Sequence, residues 1–139
     1  MSLYVLDTDI LTLLQDRHAA VVQNVAAHQP VELAITIISV EEQLSGWYRQ
    51  LRRAKTSDAL ARTYERLTVS VRSLSGLPIL SFTKSAIQRW EQLRKQRLNI
   101  AKMDLRIAAI VLDNSATLVT RNTSDFQRVP GLQLEDWSK

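Results

Sequence analysis

The 139-residue chain contains no cysteine. That removes disulfides and thiolate metal sites and is in keeping with a reducing cytoplasm. Its three glycines, Gly46, Gly76 and Gly131, stand far apart. No glycine-rich loop therefore exists to cradle a phosphate, which excludes P-loop and dinucleotide-binding readings. The two histidines, His18 and His28, are too widely spaced on a helix to make a zinc pair, and both are expected at the surface. No apolar run is long enough to span a bilayer, and the first one meets Asp7 too early for a signal peptide. A cytoplasmic protein without membrane contact is expected.

What is present is ordinary for a globular chain: 45% apolar and 23% charged residues. The length predicts one domain over residues 1–139 with a substantial core. A net charge of +4 and a pI near 9.8 point modestly to a polyanionic partner such as nucleic acid. Leu3–Leu6 reads as a strand, followed by helices over Ile10–Gln15 and Arg17–Ala27, with Val21, Val22 and Val25 forming an apolar stripe. Beyond Pro30, the nearly all-apolar run Leu33–Ile38 predicts a strand covered on both faces. Ser39 followed by Glu42 has the spacing of a capping box, which places a helix start there.

Leu44, Trp47, Tyr48 and Leu51 mark the next helix. Leu60, Tyr64, Leu67, Val71 and Leu74 give its successor a heptad-like seam. The pair predicts an antiparallel helical hairpin that packs on itself or offers a groove to another chain. A brief strand at Ile79–Phe82 leads to a helix capped by Thr83 and carrying Ile87, Trp90 and Leu93. Lys102–Asp104 opens the most apolar helix, and strands follow at Ala116–Thr120 and Leu132–Leu134. This alternation predicts an α/β domain with a mainly parallel sheet.

Asp7, Glu42 and Asp125 each follow a strand, and Asp104 heads a helix on the same face as Ile107, Ala108 and Val111. Each acid has a structural explanation of its own. Asp7 suits an N-cap, Glu42 a capping box, Asp104 a helix dipole, and Asp125 a cap shared with Asn122. Parallel strands, however, deliver their carboxyl ends to one edge of a sheet, where ligands bind. Two carboxylates about 5 Å apart repel by roughly 3 kcal/mol at an effective dielectric near 20. A hard divalent cation with oxygen ligands removes that cost, and Mg2+ or Mn2+ suits carboxylates better than zinc. Such an ion also activates a bound water and stabilises charge on a phosphate under attack.

Val5–Asp9, Ser39–Gly46, Met103–Ala109 and Thr120–Phe126 resemble, in order and spacing, the successive motifs of the PIN-domain nucleases. The nearest likeness is to the VapC-like toxins of bacterial toxin–antitoxin pairs, and it covers essentially the whole chain. The resemblance implies a three-layer α/β/α sandwich with a central, mainly parallel sheet of four to five strands and a protruding helical hairpin. It implies an acidic pocket holding Mg2+ or Mn2+, endonucleolytic cleavage of RNA, a homodimer, and inhibition by a cognate antitoxin that occupies the helical groove. Asp7, Glu42, Asp104 and Asp125 match the four acids. Asp7, Asp104 and Asp125 are the expected metal ligands, and Glu42 the residue that orients or activates water. Thr8, Thr120 and Asn122 match supporting polar positions.

Two positions depart from the family pattern: Asp9, a further supporting polar residue, replaces a common Asn and adds either a metal-shell carboxylate or a solvated one, and Gln43 replaces a usual apolar residue. Glu41 competes with Glu42 for the second-acid role. Gly46, four residues beyond Glu42, favours Glu42.

Arg49, Arg52, Arg53, Arg94, Lys95 and Arg97 are candidates for RNA phosphate contacts, against a solvated basic face as the alternative. Trp47, Trp90 and Trp137 are expected to pack between helices rather than stack on bases. A receiver-type signalling domain fails because Ile79–Ser81 supplies no phosphorylatable Asp. The competing readings are a non-catalytic PIN-like binding module and a housekeeping nuclease without an antitoxin.

Overall fold

Parallel strands cannot be joined by tight turns, so each needs a crossover, and this chain supplies helices for that purpose. The computed structural model describes residues 2–139. Its strands are β1 (Tyr4–Leu6), β2 (Leu33–Thr36), β3 (Ile79–Leu80), β4 (Thr117–Val119) and β5 (Gln133–Glu135). They form one all-parallel sheet in the order β3-β2-β1-β4-β5. The described helices are α1 (Thr8–Gln15), α2 (Ala19–Ala26), α3 (Ile37–Arg53), α4 (Ser57–Leu74), α5 (Lys84–Lys95), α6 (Lys102–Asp113) and the short α7 (Thr123–Phe126). The chain builds outward from β1 through β2 to β3, then returns to lay β4 and β5 on the other side. The reversal leaves a crevice beyond the carboxyl ends of β1 and β4, the usual ligand position in an open α/β sheet.

Side chains alternate across the pleat and so build two cores. On one face, Val5 and Leu118 pack with Ile107, Ala108 and Val111 of α6 and with Phe126. On the other, Leu6, Leu33, Ile35 and Val119 pack with Ile10, Leu11, Val21 and Trp137. Ile107, fully buried, stands for many: an Ile→Ala change at such a site costs about 2–5 kcal/mol. The result is the expected three-layer α/β/α sandwich.

Several expectations need correction. The second strand ends at Thr36, and Ile37 and Ile38 already belong to α3. The Thr36 hydroxyl caps that helix, accepting from the Ser39 N–H at 3.2 Å. A short apolar run such as Ile35–Ile38 suits strand and buried helix alike, and the cap decides between them. Ser39 is consequently buried inside the helix and forms no capping box with Glu42. The α3–α4 hairpin is present, but its seam is not closed. Leu60, Tyr64 and Val71 remain 40%, 54% and 49% exposed. A polar cluster joins α1, α3 and α4 instead, in which the amides of Gln15 and Gln43 exchange hydrogen bonds (3.1 and 2.8 Å) and Gln15 also donates to Ser73 (2.8 Å). The histidines are half-buried rather than superficial. His18 caps α2, and His28 stacks on Trp137 with ring centroids 4.4 Å apart.

A candidate active site at the carboxyl edge of the sheet

β1 carries its chain into the crevice and ends at Asp7, whose N–H still donates to the Val119 carbonyl of β4 (3.0 Å). The Asp7 side chain caps α1, its Oδ1 accepting from the Ile10 N–H at 2.8 Å. The capping role and the site role thus coincide in one residue. Asp7 is only 6% exposed, and burial pushes its carboxyl up to about 6. Hydrogen bonds from the Thr120 hydroxyl and the Ile10 N–H oppose that rise, while the negative charges of Asp9 and Asp104 add to it. Thr120 is itself buried, and its oxygen accepts from the Asn122 N–H at 2.9 Å, which leaves its proton free for Asp7.

Glu42 reaches the same crevice from α3. Thr8 Oγ1 lies 2.6 Å from Glu42 Oε1 and 2.9 Å from Ser39 Oγ. Thr8 has a single hydroxyl proton and a carboxylate can only accept. The chain of donors therefore runs Ser39 to Thr8 to Glu42. Glu41 points elsewhere, sharing an exposed apolar depression with Ile37, Leu44 and Tyr48.

Asp104 sits half-buried in the first turn of α6. Burial raises its pKa first, followed by the charges of Glu42 and Asp125. Asp125, in α7, accepts from Asn122 Nδ2 at 3.0 Å and lies 3.3 Å from Arg128 Nη1. Asp9 turns outward to Arg121 at 2.7 Å, in a half-exposed ion pair. Asp104 is thus in electrostatic reach of Asp7, Glu42 and Asp125. Among the described residues, no three acidic or histidine side chains are spaced as a ready-made metal cage.

A family model, the PIN domain, matches residues 4–132. The chain belongs to the PIN domain family. It is 30% identical over 139 residues to Ribonuclease VapC1 of Haemophilus influenzae strain R2866, covering 99% of both chains. Its fold is similar to that of VapBC2 from Rickettsia felis bound to a DNA fragment from their promoter. There the TM-score is 0.75 at 27% identity, over 97% of this chain and 98% of the other. It is also similar to a toxin–antitoxin complex from Klebsiella pneumoniae, with a TM-score of 0.70, 26% identity and coverage of 93% and 94%.

Within this PIN domain the candidate cations fall into two places. Arg49 and Arg53 line a groove of about 430 Å3 whose inner end is Thr8 and Glu42. Arg94 and Arg97 line a different recess, beside the head of α6, and Lys95 lies on the outer surface near them. Arg52 is exposed and borders neither. Trp137 is core, as expected, and Trp47 lines the groove beside Arg49. Sequence reasoning misses Ser39 as a partner of Thr8, although its three-residue offset from Glu42 puts both on one helix face. It also misses Arg121 and Arg128 as partners of Asp9 and Asp125. Arg128 stands three residues after Asp125, a spacing that could have marked the pair, whereas Arg121 and Asp9 are 112 residues apart and meet only in the folded chain.

No helix of the described residues is long and apolar enough to cross a membrane.

Proposed function

We propose that this protein is a Mg2+- or Mn2+-dependent endoribonuclease, the toxin of a toxin–antitoxin pair. The observation that carries the reading is Asp7. A carboxylate buried at the sheet's switch point, with Asp104 beside it, is held at an energetic cost that folding does not require. The donor set fits a hard cation, since every group offered is an oxygen and Mg2+ keeps several waters while using one or two carboxylates. Asp7 and Asp104 would hold the ion, with Asp125 closing the site from α7. When bound, such an ion acidifies a coordinated water and stabilises the charge developing on the phosphate. Glu42, oriented by Thr8, would accept the proton of the attacking water. Thr120 fixes the Asp7 carboxylate, and Asn122 with Arg128 steadies Asp125.

RNA is the favoured substrate because the relative at 30% identity over the full length is named a ribonuclease. Arg49 and Arg53, at the outer end of the groove that begins at Glu42, are suited to hold its phosphates. A protein antitoxin is the favoured regulator. The hairpin leaves Ile37, Tyr48, Leu60, Tyr64 and Val71 exposed, an apolar face of the kind that marks an interaction surface, and it adjoins the groove. A homodimer, in the cytoplasm, completes the reading.

Incubation of the chain with total RNA tests it. Cleavage should require Mg2+ or Mn2+, stop with a chelator, and be absent from Asp7→Asn. Cleavage that persists in Asp7→Asn, or without divalent ions, would overturn the proposal.

A further inference from the structure

Arg94, Arg97 and Lys102 line a recess of about 470 Å3 between the last turn of α5 and the head of α6, with Trp90, Leu98 and Ile100 as apolar wall. No acid lines it. Among the described residues the ion pairs are Arg89–Asp113, Arg121–Asp9 and Arg128–Asp125, and none involves these three cations. Glu91 shares the adjoining outer surface with Arg94 and Arg97 but does not line the recess, so an anion entering it meets three cations and no carboxylate.

The recess is also built. The Arg94 guanidinium lies 4.6 Å from the centroid of the Trp90 ring, and Arg106 lies 4.7 Å from the same ring. Stacking of this kind holds an arginine flat while leaving its N–H edge free to donate. The rim turns through two left-handed residues, Arg97 (φ 51°) and Asn99 (φ 59°). Strained backbone of this kind persists only where the surroundings enforce it. Arg128 enforces it, donating from Nη1 to the Asn99 carbonyl at 2.9 Å while the same nitrogen lies 3.3 Å from Asp125. Lys102 opens the helix whose third residue is Asp104. Arg128 therefore ties the rim of the recess to Asp125, and Asp104 follows Lys102 within the first turn of the same helix.

We propose that this recess is an anion subsite, holding a backbone phosphate of the RNA strand next to the bond to be cut. The proposal rests on the ribonuclease reading. A polyanion approaching four carboxylates is repelled unless cations beside them hold its neighbouring phosphates, and this recess offers three without ion-pair partners.

The test uses the full chain carrying Asp7→Asn, so that RNA stays intact. Anisotropy of a fluorescently labelled single-stranded RNA is followed as salt is raised. Adding Lys102→Gln and Arg97→Asn, the latter because Asn tolerates the left-handed backbone, should weaken binding about tenfold. The slope of log K against log salt should fall by about 0.7 for each phosphate no longer held. Lys102→Gln alone, at the exposed start of α6, keeps the test decisive if the combined variant melts early. In the chain with Asp7 intact, the same changes should raise KM while leaving kcat within a few-fold, because a remote phosphate is held equally in ground and transition states. Unchanged affinity and slope in folded variants would overturn the subsite even if the chain cleaves RNA. A chain that binds RNA with the lower slope in the variants but never cleaves would sink the ribonuclease reading and leave the subsite standing.

Discussion

Two clusters of like charge sit side by side, and solvent treats them differently. At the carboxyl edge of the sheet, Asp7 is 6% exposed and burial lifts its carboxyl to about 6. At the α5–α6 corner, Arg94, Arg97 and Lys102 are exposed, and water screens them. Charge at an exposed corner costs little and tolerates substitution. Charge buried beside like charge destabilises the fold, and removing it changes stability and chemistry together.

The largest expected break in this contrast is at Asp7. Asp7→Asn should reduce cleavage by about three orders of magnitude while making the metal-free protein more stable. The sign follows from the raised pKa. The native state holds the Asp7 proton more tightly than the unfolded chain, so this group's contribution to stability is full below about pH 4 and is lost as pH rises through about 6. Asn has no such loss. Urea unfolding at pH 7 should therefore favour the variant by on the order of 2–3 kcal/mol, an advantage that fades toward pH 4. Equal stability of the two proteins at both pH values would show that Asp7 bears no burial cost.

Next in size is the response to cation. Mg2+ or Mn2+ at about a hundredfold over Kd should stabilise the parent by about 3 kcal/mol, seen as a higher melting temperature. Asp104→Asn should lose most of that shift. A shift of the same size in both would place the ion elsewhere.

Thr8→Val sharpens the contrast within the acidic edge. It removes the hydroxyl between Ser39 and Glu42 and should lower kcat by about tenfold to a hundredfold, with stability changed by no more than about 1–2 kcal/mol. Thr8→Ser should restore most of the activity, as a packing role for the methyl would not. Smallest of all is Arg121→Ala, which breaks the half-exposed pair with Asp9. It should change unfolding free energy by less than about 1 kcal/mol, and a larger loss by urea titration would mean that the pair is shielded from solvent.

Much of the fold is legible because periodicity reports burial. Val5, Leu6, Ile107, Ala108 and Val111 fall where pattern alone puts them. The second strand stops two residues short of its apolar run, since Ile37 and Ile38 suit either element and only Thr36 acting as a cap separates them. The hairpin seam misleads for a different reason. A heptad spacing states that one side is apolar, not that anything covers it, and Tyr64 and Val71 stay exposed. At the candidate site, the identities of the acids are visible in the sequence. Which acid each supporting group serves is not: Thr8 pairs with Glu42 and Thr120 with Asp7 across elements far apart in the chain, whereas Arg128, three residues from Asp125, is a local partner.

The sequence by itself determined the order of elements, the two apolar faces of the sheet and the four acids that follow or head its elements, because these depend on spacing along one segment. Only the tertiary structure decided that Glu42 and not Glu41 faces the crevice, that Asp9 leaves it for Arg121, and that the α5–α6 cations stand beside it without ion-pair partners. Those outcomes depend on distances between residues far apart in the chain, which packing fixes and no local pattern encodes.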